Sequence, residues 1–409
     1  MKFLNWILLL IAPVALAQYN QPLYMDTTFS VHTSIELDGG AEFQGSSLRV
    51  DMSNTLLWGG FIDEAMKNRS FEKHGEINRF GFTSNNELRF YNGTGGFGSG
   101  DSLTWALKAG YYATGSLSYG KDVFGLLFYG NESYLDQTAD ISNTTANFMV
   151  FQKMGGGIVN KYSHSGLFLN FVNVQQAFKG TIRDGLLTQN ADATQIDLQA
   201  RGDMYTTTGK AFSKGLGVAL DGEYRLETPW VKGRSAWFQV SAQNLGFAYI
   251  YQPVTSYNVD SSYQYSGFEL DQLTASDNAF DDDFSLLDSM GIEKTTEKRW
   301  VVLPGYLQVA KMINKHLATK WQTYFGIRLY PSLNSVPMAF FGVHYKPLKT
   351  LSFALSGSYG GFGGFRSGMY LNYTLPKFSL SLGTDDSLGW ILKNAFGRSL
   401  LLRMSWYLI

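Results

Sequence analysis

Cysteine is missing from all 409 residues, which excludes a disulfide framework and a lipid anchor built on a cysteine. Charge is scarce. Asp, Glu, Lys and Arg make up 16% of the chain, against about 25% in soluble domains. Neither sign prevails, with 33 Lys and Arg facing 34 Asp and Glu for a net charge of -1. The basic surplus of a nucleic-acid partner is therefore missing. Long hydrophobic runs are missing too: no segment after the N-terminus supplies the roughly 18 apolar residues of a spanning helix. The five histidines, His32, His74, His164, His316 and His344, fall in no metal-binding spacing such as H-E-x-x-H. No local Ser–His arrangement supports a nucleophilic site, so the sequence points to no enzyme, metal site or cofactor.

Glycine and aromatic residues are abundant, at 44 Gly and 15% Phe, Trp and Tyr. The mean hydropathy is only -0.12. Low charge, many aromatics and middling hydropathy together fit strands that have one face in lipid and the other in water. The first residues predict a signal peptide over 1–17: Lys2, an apolar run from Trp6 to Leu16 broken by Pro13, and Ala15-Leu16-Ala17 before Gln18. That run is shorter than the roughly 20 residues needed to span a bilayer. A periplasmic or plug segment is expected over 18–44 and the barrel over 45–409.

The rest of the chain repeats one pattern, in which apolar and polar side chains alternate between turns rich in Gly, Asn, Asp and Ser. From 195 to 205, Gln195, Asp197, Gln199, Arg201 and Asp203 alternate with Ile196, Leu198, Ala200 and Met204. From 216 to 227, Leu216, Val218 and Leu220 alternate with Asp221, Glu223 and Arg225. The stretch Leu48–Trp58 reads the same way, with Arg49 and Asp51 on its polar face. About fifteen such segments occur, and the even strand number of single-chain barrels gives 14, with 16 as the second value. A membrane protein without spanning helices must close its backbone hydrogen bonds as a barrel. The fold expected is therefore all-β, a closed antiparallel transmembrane β-barrel. A soluble β-sandwich also alternates, but some 350 residues of alternation without a break exceed one sandwich.

Two stretches break the rhythm. Lys121–Asn131 bunches apolar residues at 123, 124, 126, 127 and 128 before Gly130-Asn131, which predicts a short helix, a plug within or against the barrel. Residues 251–298 are expected to form a long acidic loop, too long for a turn. Its Asp281-Asp-Asp283 lacks the alternating ligands of a calcium site. The runs Gly155–Gly157 and Gly360–Gly364 lack the Lys-Ser/Thr ending of a phosphate loop and read as strand bends.

A charge facing lipid costs about 2–4 kcal/mol at the midplane. Arg49, Asp51, Asp197, Arg201, Asp221, Glu223, Arg225, Lys320 and Arg328 are therefore expected to face the lumen. If the central segments form a hairpin, Arg201 meets Asp221 and Asp197 meets Arg225, a neutralised ladder suited to a filled or narrow interior.

The short motifs Phe128-Tyr-Gly-Asn131, Asn244-Leu-Gly-Phe247, Leu303-Pro304 and the closing Met404-Ser-Trp406 resemble those of an uncharacterised outer-membrane barrel family of Bacteroidota. That family is similar in layout to FadL-like and PorV-like barrels of 14 strands. The aromatic C-terminal strand resembles the signal by which outer-membrane barrels are inserted. The resemblance implies location in a bacterial outer membrane, surrounded by its lipid. It implies either a passive, porin-like channel or transporter for a small or hydrophobic solute, or a scaffold docking a secretion or assembly complex. It assigns no binding residue.

Overall fold

The computed structural model describes residues 33–93, 96, 102–192, 194–230, 235–265, 292–314 and 319–408. The expected signal peptide and the acidic residues 271–288 lie outside them. Seventeen strands form one sheet: β1 (Thr33–Gly45), β2 (Asn78–Tyr91), β3 (Leu103–Tyr119), β4 (Thr138–Asp140), β5 (Thr144–Asn160), β6 (Gly166–Gln189), β7 (Ile196–Thr207), β8 (Gly215–Pro229), β9 (Ser235–Tyr265), β10 (Ile292–Val302), β11 (Tyr306–Met312), β12 (Trp321–Leu329), β13 (Val336–Tyr345), β14 (Leu351–Gly361), β15 (Gly363–Thr374), β16 (Phe378–Thr384) and β17 (Gly397–Leu408). Every neighbouring pair is antiparallel, and β1 pairs with both β2 and β17, so the sheet closes without an edge.

The wall has 14 staves. β4 is a three-residue strip on the upper half of β6. β7 and β8 lie end to end between β6 and β9, and each pairs with both. β10 and β11 share the other side of β9 in the same way, interrupted at 303–305. The expected number is reached although the segments differ. Leu48–Trp58 is no strand, the segments at 195–205 and 216–227 are one stave, and Thr33–Gly45, placed by sequence in a plug, is the first stave.

Leu48–Trp58 misleads because a short run can alternate by chance; as a helix it buries Val50, Met52 and Ser53. Helix α1 (Val50–Trp58) carries Asp51 in its first turn and ends at Gly59, φ 85°. Helix α2 (Glu64–Phe71) follows, its Asp63 side chain accepting from the Met66 amide at 2.7 Å. The bunched apolar residues after Lys121 form helix α3 (Lys121–Tyr129), as expected. Leu48, Met52, Tyr119 and Phe124 bury together, so these helices form one layer at one end of the barrel. A last short helix, α4 (Leu388–Ile391), belongs to the same end, where Gly45 and Val50 amides donate to the Phe396 and Ala395 carbonyls, both at 2.8 Å.

The described connections 46–77, 120–143 and 385–396 leave from this end, while 161–165, 346–350 and 375–377 are tight turns at the other. Both ends of the described wall, Thr33 and Leu408, meet at the short-turn end. A barrel strand spans a bilayer in about 9–11 residues. β6 has 24 and β9 has 31, so with β7 and β10 they rise past their neighbours as an overhanging sheet. Residues 293–298 of β10 are accordingly exposed on both faces. The expected loop over 251–298 is therefore strand over 251–265 and 292–298, and 266–291 lie outside the described residues.

Outward side chains in the lower wall are large and apolar. Leu167, Leu169 and Phe171 alternate with buried Asn170, Val172 and Val174 on β6, and Leu216, Val218 and Leu220 with Ala219 and Asp221 on β8. An apolar belt this extensive is not a surface that water tolerates. It is the outside of a membrane-spanning barrel.

Candidate functional site: a vestibule above a charged floor

Alternation aims the polar half of each stave inward, and the interior fills in layers. At the long-loop end lies a chamber of about 720 Å³. Phe148 and Met149 of β5, Phe178 and Lys179 of β6, Asp203 and Tyr205 of β7 and Arg299 to Val302 of β10 form one side. The turn 331–334 forms the other. This turn leaves the β12–β13 side and reaches the opposite wall, where Asn334 Nδ2 donates to the Thr145 carbonyl at 3.0 Å. The Gly360–Gly364 run also folds inward. Gly360 and Gly361 adopt φ of 105° and 73°, which only glycine takes cheaply. They carry Phe362 to the Tyr330 ring, 6.1 Å between centroids. Inward turns therefore narrow the lumen; helix α3, expected as the plug, packs in the helical layer.

Beneath the chamber Tyr112 stacks on Phe151, centroids 5.0 Å apart. The Tyr112 hydroxyl donates to Glu87. Asp221 then takes Lys153 Nζ at 2.6 Å, Lys108 Nζ, Asn170 Nδ2 at 3.0 Å and the Asn244 amide at 2.6 Å. Lys153 also donates to Asn244 Oδ1 at 2.7 Å and stands 3.4 Å from Glu87. Asn244 offers both groups because its φ of 54° bulges the chain inward. Arg89 bridges Glu87 and Glu36, at 2.9 Å to the latter, and Arg403 joins Glu36 to Asp38. Four carboxylates meet four cations, so the floor is close to neutral, as burial of charge requires. Nearer the helical layer, Glu42 pairs with Arg366 at 2.8 Å. Arg328 donates to Gln308 at 2.6 and 2.8 Å and stacks on Tyr306, 4.5 Å from its centroid. Below the floor a small cavity of about 70 Å³ is lined by Glu223, Arg225, Arg89 and His164.

Of the nine residues expected in the lumen, Asp221 and Arg328 are buried there, and Glu223 and Arg225 line the small cavity as a pair. Asp197 and Arg201 stand on the overhang. Arg201 is exposed and pairs with Asp184 and Asp260, both at 3.4 Å, so the expected ladder with Asp221 does not form. Its absence follows from topology: the chain does not reverse at 208–214 but bulges and continues. The Lys214 amide donates to the Val174 carbonyl at 2.8 Å, and the Lys214 carbonyl accepts from Tyr251 and Gln252 at 3.1 Å. Asp221 is neutralised instead from β3 and β5. Arg49 and Asp51 belong to the start of α1, where Asp51 pairs with Arg69 at 3.2 Å. Lys320 is exposed at the short-turn rim, its carbonyl accepting from the Lys346 amide at 2.8 Å. Sequence reading missed Glu87, Lys108 and Lys153, which lie on β2, β3 and β5. Glycine-rich surroundings such as Gly155–Gly157 hide the alternation there.

Outside the wall, His74 is held between the Ser70 carbonyl at 2.8 Å and the Tyr119 hydroxyl at 2.9 Å. Burial pushes its imidazole below the ordinary range despite the Ser70 contact. Asp386, after β16, is pushed up to about 6 by burial, which outweighs the opposing charge of Arg366.

Among solved structures, a deletion mutant of the monoaromatic hydrocarbon channel TodX aligns over 96% of this chain and 95% of its own, at 9% identity and a TM-score of 0.43. The Pseudomonas putida toluene transporter TodX covers 96% and 93%, at 9% identity and a TM-score of 0.38. The translocator domain of the autotransporter NalP from Neisseria meningitidis covers 92% and 89%, at 9% identity and a TM-score of 0.31. No curated protein matches the sequence. A family model does match, over residues 27–385, most of the chain, and the protein belongs to that family of unknown function, DUF5723.

Proposed function

We propose that this protein sits in a bacterial outer membrane, long-loop end outward, and works as a narrow, passive conduit for a small solute. The orientation follows the habit of such barrels, whose periplasmic turns are short and external loops long. The observation that carries the reading is the solute-sized vestibule ending on a buried, charge-balanced floor. A chamber above a constriction suits stepwise passage, in which ion pairs exchange partners as the solute crosses. A wide sieve would leave the mid-lumen open. Purified protein in planar bilayers tests this: the wild type conducts rarely and briefly, and Lys153→Met combined with Asp221→Asn opens it more often. A large steady conductance from the wild type, or equal solute flux into liposomes from both proteins, would sink the proposal.

A scaffold role is favoured by a different observation. Trp58 and Phe61 in the helical layer are 82% and 86% exposed, and Trp390 and Ile391 are exposed nearby. A barrel that is silent in bilayers but leaves the membrane with a large complex, and loses it on Trp58→Ser, would support that role over transport.

A further inference from the structure

We infer that the vestibule binds a small amphipathic anion, with an apolar body on its floor and its charge at Lys179. This rests on reading the chamber as the place where the solute pauses. Its volume of about 720 Å³ lies within the range of small-molecule sites. Met149 and Val301 are buried at its base, beside Tyr205. Pro304, Pro331 and Leu333 extend the apolar lining.

The charges of the chamber are unevenly committed. Its acid, Asp203, is taken by Arg183. Arg299 lies 3.9 Å from the Tyr205 ring centroid and meets Glu297 at 3.3 Å, yet its Nε has no acceptor. Lys179 stands opposite Tyr205 across the β6–β7 ladder, and among the described residues its ammonium has neither an ion-pair nor a hydrogen-bond partner. An apolar chamber with one uncommitted cation at its rim discriminates in a definite way. A neutral hydrocarbon leaves the ammonium unused, and an organic cation meets Lys179 and Arg299 together. An anion with a hydrophobic body satisfies both halves.

The test is equilibrium binding to the full-length protein in detergent, read by isothermal titration calorimetry. The probes are para-tert-butylbenzoate and the matching benzyl alcohol and benzylamine. Expected is the order benzoate, alcohol, amine. Lys179→Gln weakens the benzoate about fivefold, the size of a half-exposed ion pair. It leaves the alcohol unchanged, and Lys179→Arg restores the preference. Equal binding of benzoate and alcohol, no saturable binding, or an unaffected Lys179→Gln variant would overturn the inference. Because no flux is measured, a barrel that binds the benzoate but never conducts retains this site and loses only the conduit.

Discussion

Asp386 illustrates how much one buried carboxyl can report. Its amide donates to Thr384 Oγ1 at 3.1 Å and Ser399 Oγ at 3.2 Å, and its Oδ1 accepts from the Gly389 amide at 3.3 Å. These contacts leave it among Asp385, Glu42 and a single nearby guanidinium, and burial raises it to about 6. An unfolded aspartate titrates near 3.9. Between about pH 4 and 6 the folded protein therefore holds more protons here than the unfolded chain, and stability falls as pH rises through that window. Thermal melts in detergent from pH 4 to 7 should show the wild type losing stability relative to Asp386→Asn. Parallel profiles for the two proteins would refute the assignment. Nothing in the sequence around Asp385-Asp-Ser387 signals this, because the burial that raises the carboxyl is created by segments the fold brings over it.

At the scale of elements, the helical layer and the wall are held by different forces. The wall is a closed ladder, whereas α1, α2 and α3 are joined to it by Leu48, Met52, Tyr119 and Phe124. Met52 is fully buried at that junction, and truncating such a side chain costs about 2–5 kcal/mol. Met52→Ala should thus open residues 46–77 to protease and hydrogen exchange while the β-sheet circular dichroism stays unchanged. Loss of both together would mean that layer and wall form one cooperative unit. Element type was readable where the pattern ran long, as in β7 and β8 or in the bunched residues of α3. It failed at α1, where eleven residues alternate by chance and the Gly59-Gly60 stop was the better signal. It failed again at 208–214, where a turn-like composition marks a bulge within one stave.

For the whole molecule, the deciding property is which face meets lipid. Leu169 points outward from the lower part of β6, between Leu167 and Phe171. An arginine there would cost about 2–4 kcal/mol if this depth is near the bilayer midplane. The same substitution at Thr295, on the overhang where both faces are exposed, should stay within about 0.5 kcal/mol. Unfolding by urea from lipid vesicles distinguishes the two, and equal costs would contradict the placement of the belt. Recovery of the folded protein from cells without detergent would contradict it more directly.

The sequence by itself determined that the chain is a two-faced all-β wall, because side-chain alternation is a local property with a period of two residues. It also determined that the interior is polar and sparing in net charge. Only the tertiary structure decided which charges meet, which loops fold inward and where the chamber lies. Those depend on the curvature of the closed sheet, which brings Lys108 of β3 to Asp221 of β8 across 113 residues of chain. Closure is a property of all fourteen staves together, and no single segment carries it.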